Sequence, residues 1–152
     1  MQNEPSTSTP LVVVCVLSII ASVFGIFYGL GLSAAGTKDR NEMIKIMMQQ
    51  GLSQMPQTDL ETVVDSIVEL ARMSNFYILF NILEVVAIGM LLRGKTIGFH
   101  FYTGSQIGQT GIYIIAMGIW NCSLIILWML FWIMIYWKMT QSMRTTEKEE
   151  EE

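Results

Sequence analysis

The first apolar segment of the chain runs for 24 residues without a charge, LVVVCVLSIIASVFGIFYGLGLSA at 11–34. About 20 apolar residues suffice for a helix to cross a bilayer. Only 14% of the 152 residues are charged, against roughly a quarter in soluble domains. A cleaved signal peptide is the alternative for this segment, because SAAG resembles a cleavage site. The segment has no basic start and exceeds the usual core of about 7–15 residues, which favours a retained membrane span.

Three further apolar segments predict spans at about 76–92, 97–118 and 122–138. Backbone polar groups cannot remain unpaired in lipid, so each span should be helical. The sequence therefore predicts an all-α protein, a four-transmembrane-helix bundle with an amphipathic helical insert at 37–75 between the first two spans.

The membrane domain is expected to cover residues 11–138 as one unit, with a disordered N-terminus at 1–10 and a disordered acidic tail at 139–152. Four crossings place both termini on one side of the membrane. The basic turn RGK at 93–95 favours a cytoplasmic location for that side.

The insert contains two helical patterns. The first covers residues 41–51 and is expected to stop at Gly51. The second follows Pro56, where Thr58 and Glu61 form a capping-box pattern. Its apolar residues recur at helical spacing: Leu60, Val63, Val64, Ile67 and Ala71. Its acidic residues form a separate row with a spacing of four: Glu61, Asp65 and Glu69.

Small residues are expected to mark the helix interfaces, because helices associate in lipid by close packing. The first span has such a row in Ala21, Gly25 and Gly29. The third span has another in Gly104, Gly108 and Gly111. The opposite side of the third span carries polar side chains, at about 100° per residue: Tyr102, Gln106, Gln109 and Tyr113.

The most informative residue is Glu84, a carboxyl group near the middle of the second span. The turn at 93–96 makes the second and third spans antiparallel neighbours, which places Glu84 level with Gln106 and Asn81 level with Gln109. Amides can hydrogen-bond a carboxyl group inside a bundle, and desolvation favours its uncharged form. The sequence predicts an internal polar cluster that consists of Glu84, Asn81, Gln106 and Gln109.

Two functions fit this cluster. The first is a structural, assembly or interaction role in a multi-pass membrane protein. The alternative is a small oligomeric proton- or cation-coupled transporter or channel that uses Glu84, since intramembrane carboxylates often mark ion pathways. A cavity or subunit interface at Glu84 would favour transport, whereas a sealed site between the second and third spans would favour the structural role.

Other classes of function lack the residues that they require. There is a single histidine and no nucleophile beside a base, so no enzyme is expected. Cys15 and Cys122 lack metal-ligand spacing, and no metal or cofactor is expected. No basic patch suits nucleic acid. The expected partners are the lipid bilayer and a second copy or another membrane protein, for which the aromatic fourth span is available.

The run LLRGKTIGFHFYTGSQIGQTG at 91–111 resembles a pattern in small four-helix membrane proteins of Bacteroidota bacteria. In that pattern a basic turn precedes Gly-Phe-x-x-Tyr and a later Gln. Its members in this chain are Arg93, Lys95, Gly98, Phe99, Tyr102 and Gln106. The resemblance covers about residues 76–120. It implies a location in the bacterial inner membrane and no particular activity.

Overall fold

The computed structural model describes residues 9–49 and 56–150, and in these two ranges every regular element is an α-helix. The all-α prediction is therefore confirmed. In chain order the helices are α1 (Thr9–Ala35), α2 (Arg40–Gln49), α3 (Gln57–Arg72), α4 (Ser74–Leu92), α5 (Ile97–Met117) and α6 (Ser123–Glu150). Most of the predicted N-terminal segment and the proposed stop at Gly51 lie outside the described residues.

Three helices are long and apolar enough to cross a membrane, namely α1, α4 and the Ser123–Gln141 part of α6. α5 is 21 residues long, but it does not reach the same apolarity, because polar side chains such as Gln106 and Gln109 lie among its apolar ones. The structure thus supports a membrane protein with three candidate spans.

α4 is the central helix and packs on both α1 and α5. Glycines of α1 permit the first contact. A Cβ atom at Gly29 would lie 2.6 Å from Cγ1 of Ile78, and one at Gly25 would overlap the side chain of Asn81. Real Cβ atoms do not approach other atoms this closely, so the backbones of α1 and α4 can meet only where the side chain is absent.

α4 and α5 form a hairpin through a tight turn. Gly94 adopts a positive φ of 77°, a conformation that suits glycine, and the amide of Lys95 donates to the carbonyl oxygen of Met90 at 3.0 Å. The first turn of α5 then lies directly against α4. A Cβ atom at Gly98 would be 2.5 Å from the carbonyl oxygen of Ala87, so the two backbones can approach here only because the side chain is absent.

The insert folds as two helices that are joined by an ion pair. Nε of Arg40 on α2 donates to Oδ1 of Asp65 on α3 at 2.7 Å, and its Nη2 lies 3.6 Å from Glu61. α3 begins directly after Pro56 without a side-chain cap, so the capping box predicted at Thr58 and Glu61 is wrong. Proline already fixes its own φ near the helical value, and Pro56 is the N-cap, so the helix starts two residues earlier than the pattern predicted.

The buried face of α3 follows the predicted apolar row with one exception. Leu60, Val64 and Ala71 are buried, but Val63 is 38% exposed. α3 ends at Arg72 and α4 begins at Ser74, so the insert passes into the second span through the single residue Met73.

The ion pair between α2 and α3 is expected to stabilise the insert to an extent that depends on pH. The hydrogen bond from Arg40 lowers the pKa of Asp65 below its ordinary value of 3.8. Because the folded pKa is lower than the unfolded one, the stabilisation is present above that ordinary value and is lost as the pH falls through the folded pKa. Asp65→Asn should remove it at pH 7 and raise amide hydrogen exchange in α2 about two- to five-fold.

Hydrogen exchange measured by mass spectrometry checks this prediction. The exposed Asp59 lies on the same helix, so Asp59→Asn is the matched control and should leave exchange in α2 unchanged. Equal exchange in the parent and in Asp65→Asn at pH 7 would show that the ion pair does not hold α2.

α6 extends further than predicted. The sequence predicts a fourth span at 122–138 and a disordered tail at 139–152, whereas the helix continues to Glu150, so residues 139–150 of the predicted disordered tail are helical. No glycine or proline occurs between 123 and 150, and Met, Lys, Arg and Glu are good helix formers, so nothing local ends the helix.

The predicted third span at 97–118 differs from α5 by one residue, because Gly118 adopts a φ of 81° and terminates the helix.

Two apolar clusters lie toward opposite ends of α1, α4 and α5, the three helices that contribute to both clusters. The first joins α1, α4, α5 and α6 through Leu11, Cys15, Ala87, Ile88, Leu91, Phe99, Tyr102 and Tyr136. The second joins α1, α3, α4 and α5 through Leu32, Leu70, Tyr77 and Ile112. Glu84 lies between these two clusters along α4.

Candidate functional site

The carboxyl group of Glu84 is bonded by two amides from one face of α5. Nε2 of Gln106 donates to its Oε1 at 3.0 Å, and Nε2 of Gln109 donates to its Oε2 at 2.9 Å. The two glutamines are three residues apart and therefore project from the same side of the helix. The α4–α5 hairpin thus brings Glu84, Gln106 and Gln109 together, as the matched depths in the sequence predict. We call these three residues the carboxyl–amide cluster.

α1 approaches the same carboxyl group from another direction. The hydroxyl of Ser22 lies next to Glu84 and also donates to the carbonyl oxygen of Ser18 at 2.8 Å. Ser22 is buried, and Glu84 has only 5% of its surface exposed. Three helices therefore converge on one carboxyl group near the middle of the candidate span α4.

Asn81 does not join the carboxyl–amide cluster in the predicted way. Its Nδ2 donates to the carbonyl oxygen of Tyr77 in its own helix at 2.8 Å, and its side chain packs over Gly25 of α1. Asn81 lies one turn before Glu84 on α4, and its side chain packs on α1, whereas the carboxyl group of Glu84 reaches the amides of α5. Gln109, which the matched depths place level with Asn81, bonds to Glu84 instead.

Glu84 lines a cavity with a volume of about 640 Å³. The cavity lies between α1, α4, α5 and α6. Its polar lining residues are Ser18, Ser22, Asn81, Glu84, Gln106, Gln109 and Thr110. Its aromatic lining residues are Tyr77, Tyr102, Tyr113, Trp128 and Trp132, and the remaining ones are Leu17, Ala21, Ile125 and Met129. The carboxyl–amide cluster is therefore part of a cavity wall and is not sealed between α4 and α5.

Pairs of tyrosines close the cavity toward each of the two apolar clusters. On one side the rings of Tyr102 and Tyr136 are 4.2 Å apart, and the hydroxyl of Tyr136 donates to Oγ of Ser18 at 2.9 Å. On the other side the hydroxyl of Tyr113 donates to that of Tyr77 at 3.2 Å. Both closures are side-chain contacts between helices, because Tyr102 and Tyr136 join α5 to α6 and Tyr113 and Tyr77 join α5 to α4.

The charged side chains in the cavity lining are limited to one carboxyl group. Glu84 is the one acidic residue in its lining, and the lining among the described residues includes no lysine, arginine or histidine. The other titratable groups in its wall are the hydroxyls of Tyr77, Tyr102 and Tyr113. A ligand that replaces water here meets one carboxyl group, several hydroxyl and amide groups and a mainly aromatic surface.

The predicted helix-packing residues fall into two groups. Gly25 and Gly29 lie at the α1–α4 contact, and Gly108 packs against the ring of Phe80. Ala21 lines the cavity. Gly104 and Gly111 have no atom within 4 Å of an added Cβ, so their predicted packing role fails within this chain. The amide face of α5 points to α4, and Gly104 and Gly111 consequently point away from it, whereas Gly108 still contacts α4.

Several residues of the site carry no clear signal in the sequence. Trp128 and Trp132 read as lipid-facing residues of an aromatic span, but both line the cavity. Thr110 and Ser22 are isolated small polar residues of a kind that is common in membrane helices. Only the bundle arrangement, which brings α6 next to α1 and α5, assigns them to one site.

The two cysteines, Cys15 and Cys122, are free and buried. Within the described ranges 9–49 and 56–150, no group of three or more His, Cys, Asp or Glu side chains is placed to hold a metal ion.

No protein-family model matches the chain. No curated protein matches it. No solved structure matches it. The resemblance to the Bacteroidota membrane proteins accordingly stays a prediction, and the function is argued below from the geometry of the site.

Proposed function

We propose that the chain is a membrane protein with four spans. In this proposal α5 crosses the membrane in addition to the three candidate spans α1, α4 and α6. α5 has no charged residue along its 21 positions, and its amides are turned toward Glu84 on α4. Large apolar residues of α5, Phe101, Ile107 and Ile115, are exposed on its outer surface, as expected for contact with lipid. A helix of this length spans about 30 Å, which matches the hydrocarbon core. The proposal includes cytoplasmic termini in a bacterial inner membrane.

The function that the site supports best is proton- or cation-coupled transport through Glu84. One observation carries this proposal: the carboxyl group of Glu84 lies in the wall of a 640 Å³ cavity between the spans. Intramembrane carboxyl groups in cavities are typical of proton and ion pathways. The lining residues belong to one chain, so the binding site itself requires no second copy, although association through α6 remains compatible with it.

Protonation of Glu84 changes the hydrogen bonding around it. An ionised carboxylate is purely an acceptor, and here each of its oxygens accepts one amide N–H. A proton adds a donor, so one partner must then present an acceptor oxygen. Rotation of the Gln106 or Gln109 amide supplies its carbonyl oxygen, and this couples the charge of Glu84 to the shape of the cavity wall.

Flux into reconstituted vesicles tests the transport function. The parent protein should carry protons or small cations above the level of protein-free vesicles, and Glu84→Gln should reduce this flux at least ten-fold, because glutamine has the same size but cannot ionise. Glu42 is exposed on α2, so Glu42→Gln is the matched control and should retain the parent flux. Equal flux in the parent and Glu84→Gln would exclude Glu84 as the coupling group, and background flux in the parent would exclude transport.

A structural or assembly role is the second candidate, and one observation favours it. Both oxygens of Glu84 are already satisfied by the protein, and the residue is 5% exposed. A purely structural carboxyl group needs no access to the cavity. A hydrophobic carbodiimide should therefore leave Glu84 unmodified in this case, whereas the transport function requires modification at Glu84 that mass spectrometry can locate. The protein would act in either role without enzymatic activity.

A further inference from the structure

The size of the cavity limits what it binds. Its volume of about 640 Å³ lies within the range of about 300–1,000 Å³ that is typical of sites for organic ligands. A bare inorganic cation needs several oxygen ligands at close range, and the two oxygens of Glu84 are occupied by amides. Most of the remaining wall is aromatic or aliphatic. The volume and the wall both fit an organic molecule better than a metal ion.

The charge of the cavity limits the ligand further. Glu84 carries the one carboxyl group of the cavity lining, and among the described residues no basic side chain lines the cavity. An anion would therefore meet a carboxyl group without a compensating charge. A cation meets a carboxyl group as well as aromatic faces, and aromatic rings attract cations through their quadrupoles.

α6 supplies the aromatic part of this wall. The rings of Trp128 and Trp132 are 5.8 Å apart at 78°, an edge-to-face pair on successive turns of the helix. Tryptophan is the strongest of the aromatic partners for a cation. Glu84, on α4, and the tryptophan pair, on α6, line the same cavity.

The edge of the cavity is accessible from the side of the bundle. Trp128 is 61% exposed and Leu17 is 54% exposed, and both line the cavity. These residues belong to α6 and α1, so the opening lies between two of the candidate spans. A ligand that is dissolved in the bilayer reaches this opening without crossing either tyrosine pair.

We propose that the cavity binds a lipophilic organic cation, such as a quaternary onium ion or a protonated amine on an aromatic body, between Glu84 and the Trp128–Trp132 pair. The inference rests on the proposed transport function, for which it names the class of substrate. The positive group lies toward the carboxyl–amide cluster, and the apolar body lies against the tryptophans and fills the space that a small ion would leave empty.

Equilibrium binding to the purified full chain in lipid nanodiscs tests the proposal. The probe is tetraphenylphosphonium, with triphenylphosphine oxide as an uncharged compound of similar shape and tetraphenylborate as an anion. The parent should bind the phosphonium saturably and at least ten-fold more tightly than either of the other two compounds. Equal binding of the uncharged compound would overturn the proposal.

Two pairs of variants assign the binding to this cavity. Glu84→Gln should weaken phosphonium binding at least ten-fold, and the exposed Glu42→Gln should not change it. Trp128→Leu should weaken binding about three- to ten-fold. Trp120 is 89% exposed and outside the cavity lining, so Trp120→Leu is its control. Unchanged affinity in both Glu84→Gln and Trp128→Leu would overturn the proposal.

A chemical readout replaces Glu84→Gln if that variant does not fold. Phosphonium should protect Glu84 of the parent protein from a hydrophobic carbodiimide, as measured by mass spectrometry, and absence of protection would overturn the proposal. The vesicle measurements separate the two proposals. Glu84-dependent ion flux without phosphonium binding would contradict the organic cation only, whereas Glu84-dependent binding without flux of protons, small ions or phosphonium would contradict the transport function only.

Discussion

Gly98→Ala is expected to lower the free energy of unfolding by about 2 kcal/mol or more, which is within the range for overpacked sites. The new Cβ atom would lie 2.5 Å from the carbonyl oxygen of Ala87 and 3.0 Å from the amide nitrogen of Leu91. Both are backbone atoms of α4, which cannot move aside as a side-chain end can. The two helices must therefore separate at the start of the hairpin. Unfolding of the purified protein in mixed micelles, followed by circular dichroism, measures the effect.

Gly104→Ala is the matched control on the same helix. No atom lies within 4 Å of a Cβ at that position, and alanine is favoured over glycine in a helix by roughly 0.5–1 kcal/mol. The control should therefore be neutral or slightly stabilising. Equal stabilities of the two variants would show that α4 and α5 do not approach closely at Gly98.

The double variant Gln106→Leu, Gln109→Leu should cause the second large loss of stability, about 2–6 kcal/mol at roughly 1–3 kcal/mol for each of the two buried polar contacts that are lost. The carboxyl group of Glu84 would then lack both of its amide donors. Adding Glu84→Met should recover most of the loss, because an apolar set of similar volume leaves no polar group unsatisfied. The same unfolding measurement applies to all three proteins.

The order of the three stabilities decides between two explanations. If the amides act by satisfying Glu84, the triple variant is more stable than the double variant. If the glutamines act by packing alone, Glu84→Met gives no recovery. The second result would contradict the carboxyl–amide cluster as a source of stability, although it would leave the shape of the cavity unchanged.

The register of the α4–α5 hairpin could be predicted because it depends on local information. A short turn with glycine fixes which residues at the ends of the two helices are level. Because both helices rise by the same distance per residue, the residues further from the turn are then matched in depth as well. This reasoning places Glu84 beside Gln106. It does not fix how each helix is rotated about its own axis, and for this reason it assigned Asn81 to α5 although the side chain packs on Gly25 of α1.

The same limit explains the glycine prediction. Gly104 and Gln109 are about 140° apart around α5 at 100° per residue, so both cannot face α4. The hydrogen bonds to Glu84 select the amide face, and Gly104 and Gly111 turn outward as a result. Gly98, where an added Cβ would meet backbone atoms of α4, belongs to no row of small residues, and only its position just after the turn and its place in the Gly-Phe-x-x-Tyr pattern distinguish it in the sequence.

The cavity could not be predicted at all, because it depends on the gap between helices that are distant in the sequence. α1 and α6 contribute Ser18, Ala21, Trp128 and Trp132 to it, and their separation in the chain exceeds 100 residues. Hydropathy identifies each of these helices as a candidate span but gives no distance between them. A wide spacing between α6 and its neighbours leaves space, and a narrow one would have buried the same tryptophans in a core.

The attachment of α6 has a consequence for how this space changes. Glycine contacts join α4 to α1 at Gly25 and Gly29 and join α4 to α5 at Gly98 and Gly108. Among the described residues α6 has no such contact, and it is connected to the bundle through the hydrogen bond from Tyr136 to Ser18 and through the five-residue connection at 118–122. The turns between these two attachments, which carry Trp128 and Trp132, border the cavity. A shift of this half of α6 away from α1 and α5 would therefore widen the cavity without separating the glycine contacts of α4.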